Sequence, residues 1–240
     1  MTAFSDTFSA KYRTYVDNGL IPEVLEGFQP SELSLKILNY ICDQVGTDRA
    51  LIVGGDLTAE YARQNGDDNA QSADVDIHLH LHDAEAAANA YDDFAAIRAI
   101  ADAIDDAPGF KRTSGVKITN IGKTRHTKLP YGNVSFEFEG RKVDVAIPQD
   151  PISLQSRALY GDAIIKSIAA DRTGQVMAHP YFEEDMQNGE YTIRVTQFNK
   201  AGHETHDHER SVERYAERSA YLADFELVES SAYSADLNAA

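Results

Sequence analysis

The chain predicts an α+β or α/β fold built around one mixed sheet, and three observations carry that prediction. A short apolar strand, Ala50-Leu51-Ile52-Val53, runs straight into Gly54-Gly55 and a helix-forming segment. Residues 74–82 alternate strictly, with Val75, Ile77, Leu79 and Leu81 on one side and Asp74, Asp76, His78, His80 and His82 on the other, which is strand periodicity. Three further strand-like runs, at 116–121, 133–139 and 142–147, are framed by helical stretches. The 240 residues and a 42% apolar composition are enough for a large core.

Taken in order, residues 1–30 hold two short helical candidates and a turn at Phe28-Gln29-Pro30. Ser31 is placed to cap a helix whose apolar positions, Leu33, Leu35, Ile37, Leu38, Ile41, Cys42 and Val45, fall at helical spacing before Gly46. The helix after Gly55 spans about Leu57 to Gln64, and residues 65–72 have pure turn composition. Residues 83–107 read as a long Ala-rich helix between an Asp cap and a Pro-Gly stop. Gly140-Arg141 joins the second and third late strands as a hairpin. Beyond Pro148 and Pro151 the pattern predicts a helix over 153–170 broken near Gly161, a short strand at 175–177, a strand at 191–197, a polar His-rich loop at 199–209 and a last amphipathic helix at 210–229.

Composition narrows the function classes. No run of about 18 apolar residues exists, so no membrane span is expected; the first eleven residues lack a signal-peptide pattern, and one cysteine, Cys42, rules out an intrachain disulfide framework. A soluble, cytoplasmic protein with a buried thiol is the expectation. The net charge of −17 argues against a broad nucleic-acid footprint, since phosphate neutralisation drives such binding. The charge is uneven, however. No acid occurs between Pro108 and Phe136, while Lys111, Arg112, Lys117, Lys123, Arg125 and Lys128 do, with Arg141 and Lys142 soon after. That island is either a local phosphate-contacting surface or a solvated hairpin. Oligomeric state is not legible.

The chemistry-bearing residues are Gly54-Gly55, Asp74-x-Asp76 and Asp144. Paired glycines let the backbone approach a ligand, and the helix they open presents unpaired N–H groups to a phosphate. Asp74 and Asp76 share one strand face with Cα atoms about 6–7 Å apart, a spacing from which both carboxylates reach one pair of hard cations. Asp144 is a lone acid in the apolar run Val143-Asp144-Val145-Ala146. If its strand lies beside 74–82, three carboxylates form a site suited to two Mg²⁺ or Mn²⁺ ions about 3.5–4 Å apart.

With Gly-Gly, a D-x-D strand and a later lone carboxylate in place, the chain resembles the DNA polymerase β-like nucleotidyltransferase superfamily. Within it, the chain is similar to the head region of bacterial poly(A) polymerases and CCA-adding tRNA nucleotidyltransferases. Residues 162–195 follow that family's order of Asp, apolar segment, Gly turn, Asn-Gly and Ile-Arg, and 207–227, with Arg210, Arg214 and Arg218, are similar to its arginine-rich helix. The family's Arg-Asp after the glycines is Thr58-Ala59 here, its Arg-Arg-Asp reads Tyr160-Gly161-Asp162, its nucleotide-contacting Asn falls near Lys166, and its helical tRNA-gripping body has no counterpart in these residues.

The resemblance implies an α+β, polymerase β-like core flanked by helices, with a short helical C-terminal extension. It implies an N-terminal helical segment at 1–49, a catalytic core at 50–150, a second nucleotide-facing segment at 151–198, and the His-rich loop with the C-terminal helix at 199–240. It further implies Asp74, Asp76 and Asp144 as catalytic metal ligands, Gly54, Gly55, Asp162, Lys166 and Arg210 as nucleotide-binding residues, and an NTP with Mg²⁺ or Mn²⁺ as substrate and cofactor. The expected reaction moves a nucleoside monophosphate to an acceptor hydroxyl, an RNA or tRNA 3′ end docked on Lys111, Arg112, Lys117, Lys123, Arg125 and Lys128. The alternatives are a protein or small-molecule acceptor, which the net charge favours, and a non-catalytic nucleotide-binding module, which the missing arginines favour. His78, His80 and His82 read as a solvated strand end or, with His78 nearest the carboxylates, as ligands for Zn²⁺ or Mn²⁺; the cluster at 203–208 reads as a polar loop or a transition-metal site.

Overall fold

The computed structural model describes residues 11–13, 21–79, 94–119, 131–147, 153–159, 161–194 and 208–230. It is an α+β protein with a mixed nine-stranded sheet flanked by helices and a separate three-stranded sheet. The large sheet contains β2 (Glu23–Val24), β3 (Ala50–Val53), β4 (Asp74–Leu79), β5 (Phe110–Arg112), β6 (Lys117–Thr119), β7 (Tyr131–Phe138), β8 (Arg141–Ile147), β9 (Ile168–Ala170) and β10 (Val176–Ala178). Its order is β2-β10-β9-β3-β4-β8-β7-β5, with β6 also paired to β7. Only β4 and β8 run parallel, and that pairing sets Asp76 directly beside Asp144 and Asp74 beside Lys142. The small sheet joins β1 (Lys11–Arg13), β12 (Glu226–Ser230) and β11 (Glu190–Arg194), all parallel neighbours.

Two helices seal one face of the large sheet. Helix α1 (Glu32–Val45) begins at Ser31, whose hydroxyl accepts from the Ser34 N–H, and ends at Gly46 in the left-handed conformation (φ 72°). It packs beside α3 (Phe94–Asp105), and together they bury Ile37, Leu38, Ile41, Ile97, Ala101 and Ile104 against Val75, Ile77, Leu79, Val134, Phe136, Val143, Val145 and Ile147. The alternation of β4 and β8 follows from this: inward positions are buried, and the others are left for the opposite face. Helix α2 (Gly55–Gln64) joins the same core through Leu57 and Tyr61, while α4 (Leu154–Leu159) lies on the opposite face, with Leu154 packed against Leu51, Val53 and Ala169. Helices α5 (Phe182–Asn188) and α6 (His208–Ala216) pack against β11 and the second core of Ile165, Tyr191, Ile193, Tyr215, Leu222 and Leu227.

Several expectations need correction. The predicted helix over 153–170 is helical only in α4; it continues as a 3-10 turn, Ile164–Lys166, and then as β9. Strand β9 lies between β3 and β10 with every side chain buried, and a strand covered on both faces is a continuous apolar run that periodicity cannot tell from a helix. The helix predicted at 210–229 is α6, a 3-10 turn (Ala220–Leu222) and β12. Arg218 ends α6, its guanidinium donating to the carbonyls of Tyr215, Leu222 and Ala223. Strands β1 and β2 occupy described parts of a stretch read as helical, and β5 was not anticipated. The predicted long helix is helical over Phe94–Asp105; residues 80–93, 120–130 and 195–207, carrying the first part of that helix and most of the His-rich loop, lie outside the described residues.

A candidate nucleotide and metal site

The site grows from the chain reversal at Gly54. Its φ of 69° and ψ of −126° are open to glycine alone among common residues, and they turn β3 abruptly into α2. The first N–H groups of α2 are left facing outward, because intrahelical bonding starts with Thr58 N–H to Gly54 O. Asp56 in this first turn points away from the opening. Its carboxylate, 3% exposed with the rest of the residue, accepts from the Ser34 hydroxyl at 2.5 Å and from Arg141 at 2.9 Å. Arg141 also donates to the Ser72 carbonyl, and the Ser72 hydroxyl to the Asp74 carbonyl, so one chain of polar contacts ties the glycine turn to the start of β4.

Strand register then assembles the carboxylates. Oxygens of Asp74, Asp76 and Asp144 all lie within 4.8 Å of one another. Burial, reinforced by the charges of Asp74 and Asp144, pushes the Asp76 carboxyl up to about 6. Asp144 Oδ1 is buried and has no hydrogen-bond partner, an arrangement that a buried carboxylate tolerates poorly without a cation. Three hard oxygen donors with one such orphaned atom fit Mg²⁺ or Mn²⁺. Asp144 Oδ2 and Asp74 Oδ2 both accept from the Lys142 ammonium, at 2.6 and 3.0 Å.

An open cleft of about 220 Å³ unites these parts: Gly54, Gly55, Ser72, Asp74 and Asp76 line it together with Arg157, Asp162, Lys166 and Arg214. Lys166 ends the 3-10 turn, and its Nζ would lie 3.2 Å from a Cβ placed on Gly55, so the ammonium hangs over the mouth of α2. Burial lowers it to about 8, opposed by the charges of Asp76 and Asp74. Arg157 of α4 is lowered to about 10, by burial first and then by Arg214, with Asp76 opposing. The cleft thus sets buried positive charge beside the carboxylates, the pattern required to hold a polyanion and its counter-ions together.

The structure brings together Gly54, Gly55, Asp74, Asp76, Asp144, Asp162 and Lys166 of the predicted set. Asp162 is ion-paired with Arg214. Arg210 lies on α6, but its side chain is outside the described residues, as are Lys123, Arg125, Lys128, His80 and His82. Lys111 and Lys117 share the sheet face of the carboxylates, since they pair through Glu137 and Asn133 of β7 with Lys142 and Ala146 of β8. Arg112 points to the other face, where Asp102 and Asp105 of α3 hold its guanidinium. His78 is on the carboxylate face but not in the converging group. Thr58, standing where an arginine was expected, donates to the Ile165 carbonyl at 2.6 Å and so anchors the Lys166 turn.

Sequence reading missed Arg157, and it noted Arg141 and Lys142 only as basic residues beside the 108–136 island, not as neighbours of the carboxylates. Period two does place Lys142 on the face of Asp144, so that signal was present; nothing in the pattern around Arg157 marks a site.

No family model and no curated protein matches the chain. Among solved structures it is similar to the CCA-adding enzyme of Bacillus stearothermophilus in complex with CTP, at 21% identity and a TM-score of 0.37. The match covers 69% of this chain and 33% of that one, so it spans about a third of the enzyme's length.

Proposed function

We propose that the protein is a metal-dependent nucleotidyltransferase that moves a nucleoside monophosphate from an NTP to an acceptor hydroxyl, with release of pyrophosphate. The observation that carries this reading is the convergence of Asp74, Asp76 and Asp144 beside a glycine turn whose helix opens into the same cleft.

On this reading the three carboxylates hold Mg²⁺ or Mn²⁺, which when bound supplies charge neutralisation at the attacking and leaving oxygens. The chain's own groups do the rest. The N–H groups at the start of α2 receive phosphate oxygens, and the absence of side chains at Gly54 and Gly55 lets the backbone come close. Lys166 and Arg157 add positive charge that is already desolvated, so binding a polyphosphate costs little further reorganisation. Asp162 and Arg214 line the side of the cleft near Tyr191 and present a donor–acceptor pair to the nucleoside. The acceptor is an RNA 3′ end approaching over the face that carries Lys111 and Lys117.

A second reading has a specific observation behind it. Arg112 is turned away from that face and the chain carries a charge of −17, which favours a protein or small-molecule acceptor over RNA.

Incubation with each α-labelled NTP, Mg²⁺ or Mn²⁺ and total RNA, resolved on a denaturing gel, tests both readings. The expected result is label on RNA, reduced at least about a thousandfold in the isosteric double variant Asp74→Asn/Asp76→Asn. Label on protein establishes the second reading. NTP binding without transfer of label to any acceptor overturns both in favour of a non-catalytic nucleotide-binding protein.

A further inference from the structure

Lys142 stands where a cation belongs. One ammonium bridges Asp144 Oδ2 at 2.6 Å and Asp74 Oδ2 at 3.0 Å, two of the three converging carboxylates. Register puts it there: on β8 it shares the face of Asp144 two residues on, and it lies directly opposite Asp74 of β4. Carboxylates this close repel one another unless positive charge sits among them, so the ammonium supplies within the protein part of what a divalent ion supplies when bound.

The tie is light. The Lys142 side chain is 50% exposed on a flexible four-carbon stem. Opposite it on the other flank, Glu137 of β7 presents an exposed carboxylate on the same face. Directly opposed residues in antiparallel strands have Cβ atoms about 5 Å apart, so rotation about the stem carries the ammonium from the metal ligands to Glu137 without backbone movement. Across four strands the row reads Asp74, Lys142, Glu137, Lys111, with the sign alternating at each step.

Resting on the reading of this site as a metal centre, we infer that Lys142 is a resident counter-cation: it competes with the divalent ion for Asp74 and Asp144, transfers to Glu137 when the ion binds, and thereby sets the metal affinity of the site. It is a positioning residue, acting on the carboxylates and not on the substrate.

Mn²⁺ binding by the full chain without nucleotide, followed by electron paramagnetic resonance, tests this together with thermal unfolding in EDTA. Lys142→Met is expected to bind Mn²⁺ about tenfold more tightly, because the competing charge is gone. In EDTA it should unfold at a lower temperature than the wild type, and Mn²⁺ should close that gap. Glu137→Gln, an exposed change that leaves the core untouched, should bind Mn²⁺ several-fold more weakly, because the displaced ammonium loses its partner. Unchanged or weaker Mn²⁺ affinity in Lys142→Met overturns the role of the lysine alone. If Lys142→Met does not fold in EDTA, unchanged affinity in Glu137→Gln overturns the transfer. Failure of both wild type and Lys142→Met to bind Mn²⁺ overturns the metal-centre reading and this inference with it.

Discussion

Gly161 and Lys166 show how little freedom single positions of the cleft have. A Cβ on Gly161 would lie 2.6 Å from both the carbonyl carbon and the oxygen of Lys166, and these are backbone atoms that cannot rotate away. The residue that replaces an expected arginine is therefore demanded by close packing under the Lys166 turn. Gly161→Ala should destabilise the protein by about 1–3 kcal/mol, as overpacking does, and it should weaken NTP binding as well, because the ammonium over α2 shifts with its turn. Thermal unfolding and a nucleotide titration check the two effects; full stability with normal NTP affinity would refute the packing argument. Thr58 makes a related point. Its hydroxyl holds the Ile165 carbonyl, so a neutral hydrogen bond keeps the turn in place.

At the scale of elements, the glycine turn, α1, β4 and β8 are fastened at one buried knot. Asp56 of α2 meets Ser34 of α1 and Arg141 of β8, and Arg141 reaches Ser72 at the approach to β4. Burial raises the Asp56 carboxyl above its ordinary range, while Ser34 and Arg141 pull it back down. Removing one partner of such a pair leaves the other charge stranded in low dielectric. Asp56→Asn should cost about 3 kcal/mol in urea unfolding, and adding Arg141→Met should restore part of that loss. A double variant no better than the single one would mean that the pair is not the unit of stabilisation. The same elements explain why β4 and β8 were the most legible part of the chain. They alternate, because one face is sealed by α1 and α3 and the other carries the site. Strands β9 and β12 were read as helix, because β9 is buried on both faces and β12 follows a helix without a Gly or Pro break.

Across the whole molecule, α1 closes the sheet from behind, and its Cys42 reports on that closure. Burial pushes the thiol up to about 11 from an ordinary value of 9.0. The folded state therefore keeps a proton that the unfolded chain loses, and stability from this group falls as pH rises from about 9 through 11. The loss is at most about 1.4 kcal/mol per pH unit. Urea midpoints at pH 8 and pH 10.5 should differ more for the wild type than for Cys42→Ala, and iodoacetamide at pH 8.5 should label Cys42 only on unfolding. Rapid labelling of the native protein would show that α1 does not seal this face. Among the described residues no helix is long and apolar enough to cross a membrane.

What the sequence determined by itself was local: the Gly-Gly turn, the i and i+2 placement of Asp74 and Asp76, the lone acid at Asp144, and the strand periods that put each on a polar face. Those follow from backbone geometry within a few residues. The tertiary structure alone decided that β8 runs parallel to β4 with Asp144 beside Asp76, that Lys142 bridges the carboxylates, and that Arg157 and Lys166 reach the same cleft from segments more than 80 residues downstream of Asp74. Strand order and direction depend on which faces must be buried together across the whole chain, and no short-range pattern encodes that choice.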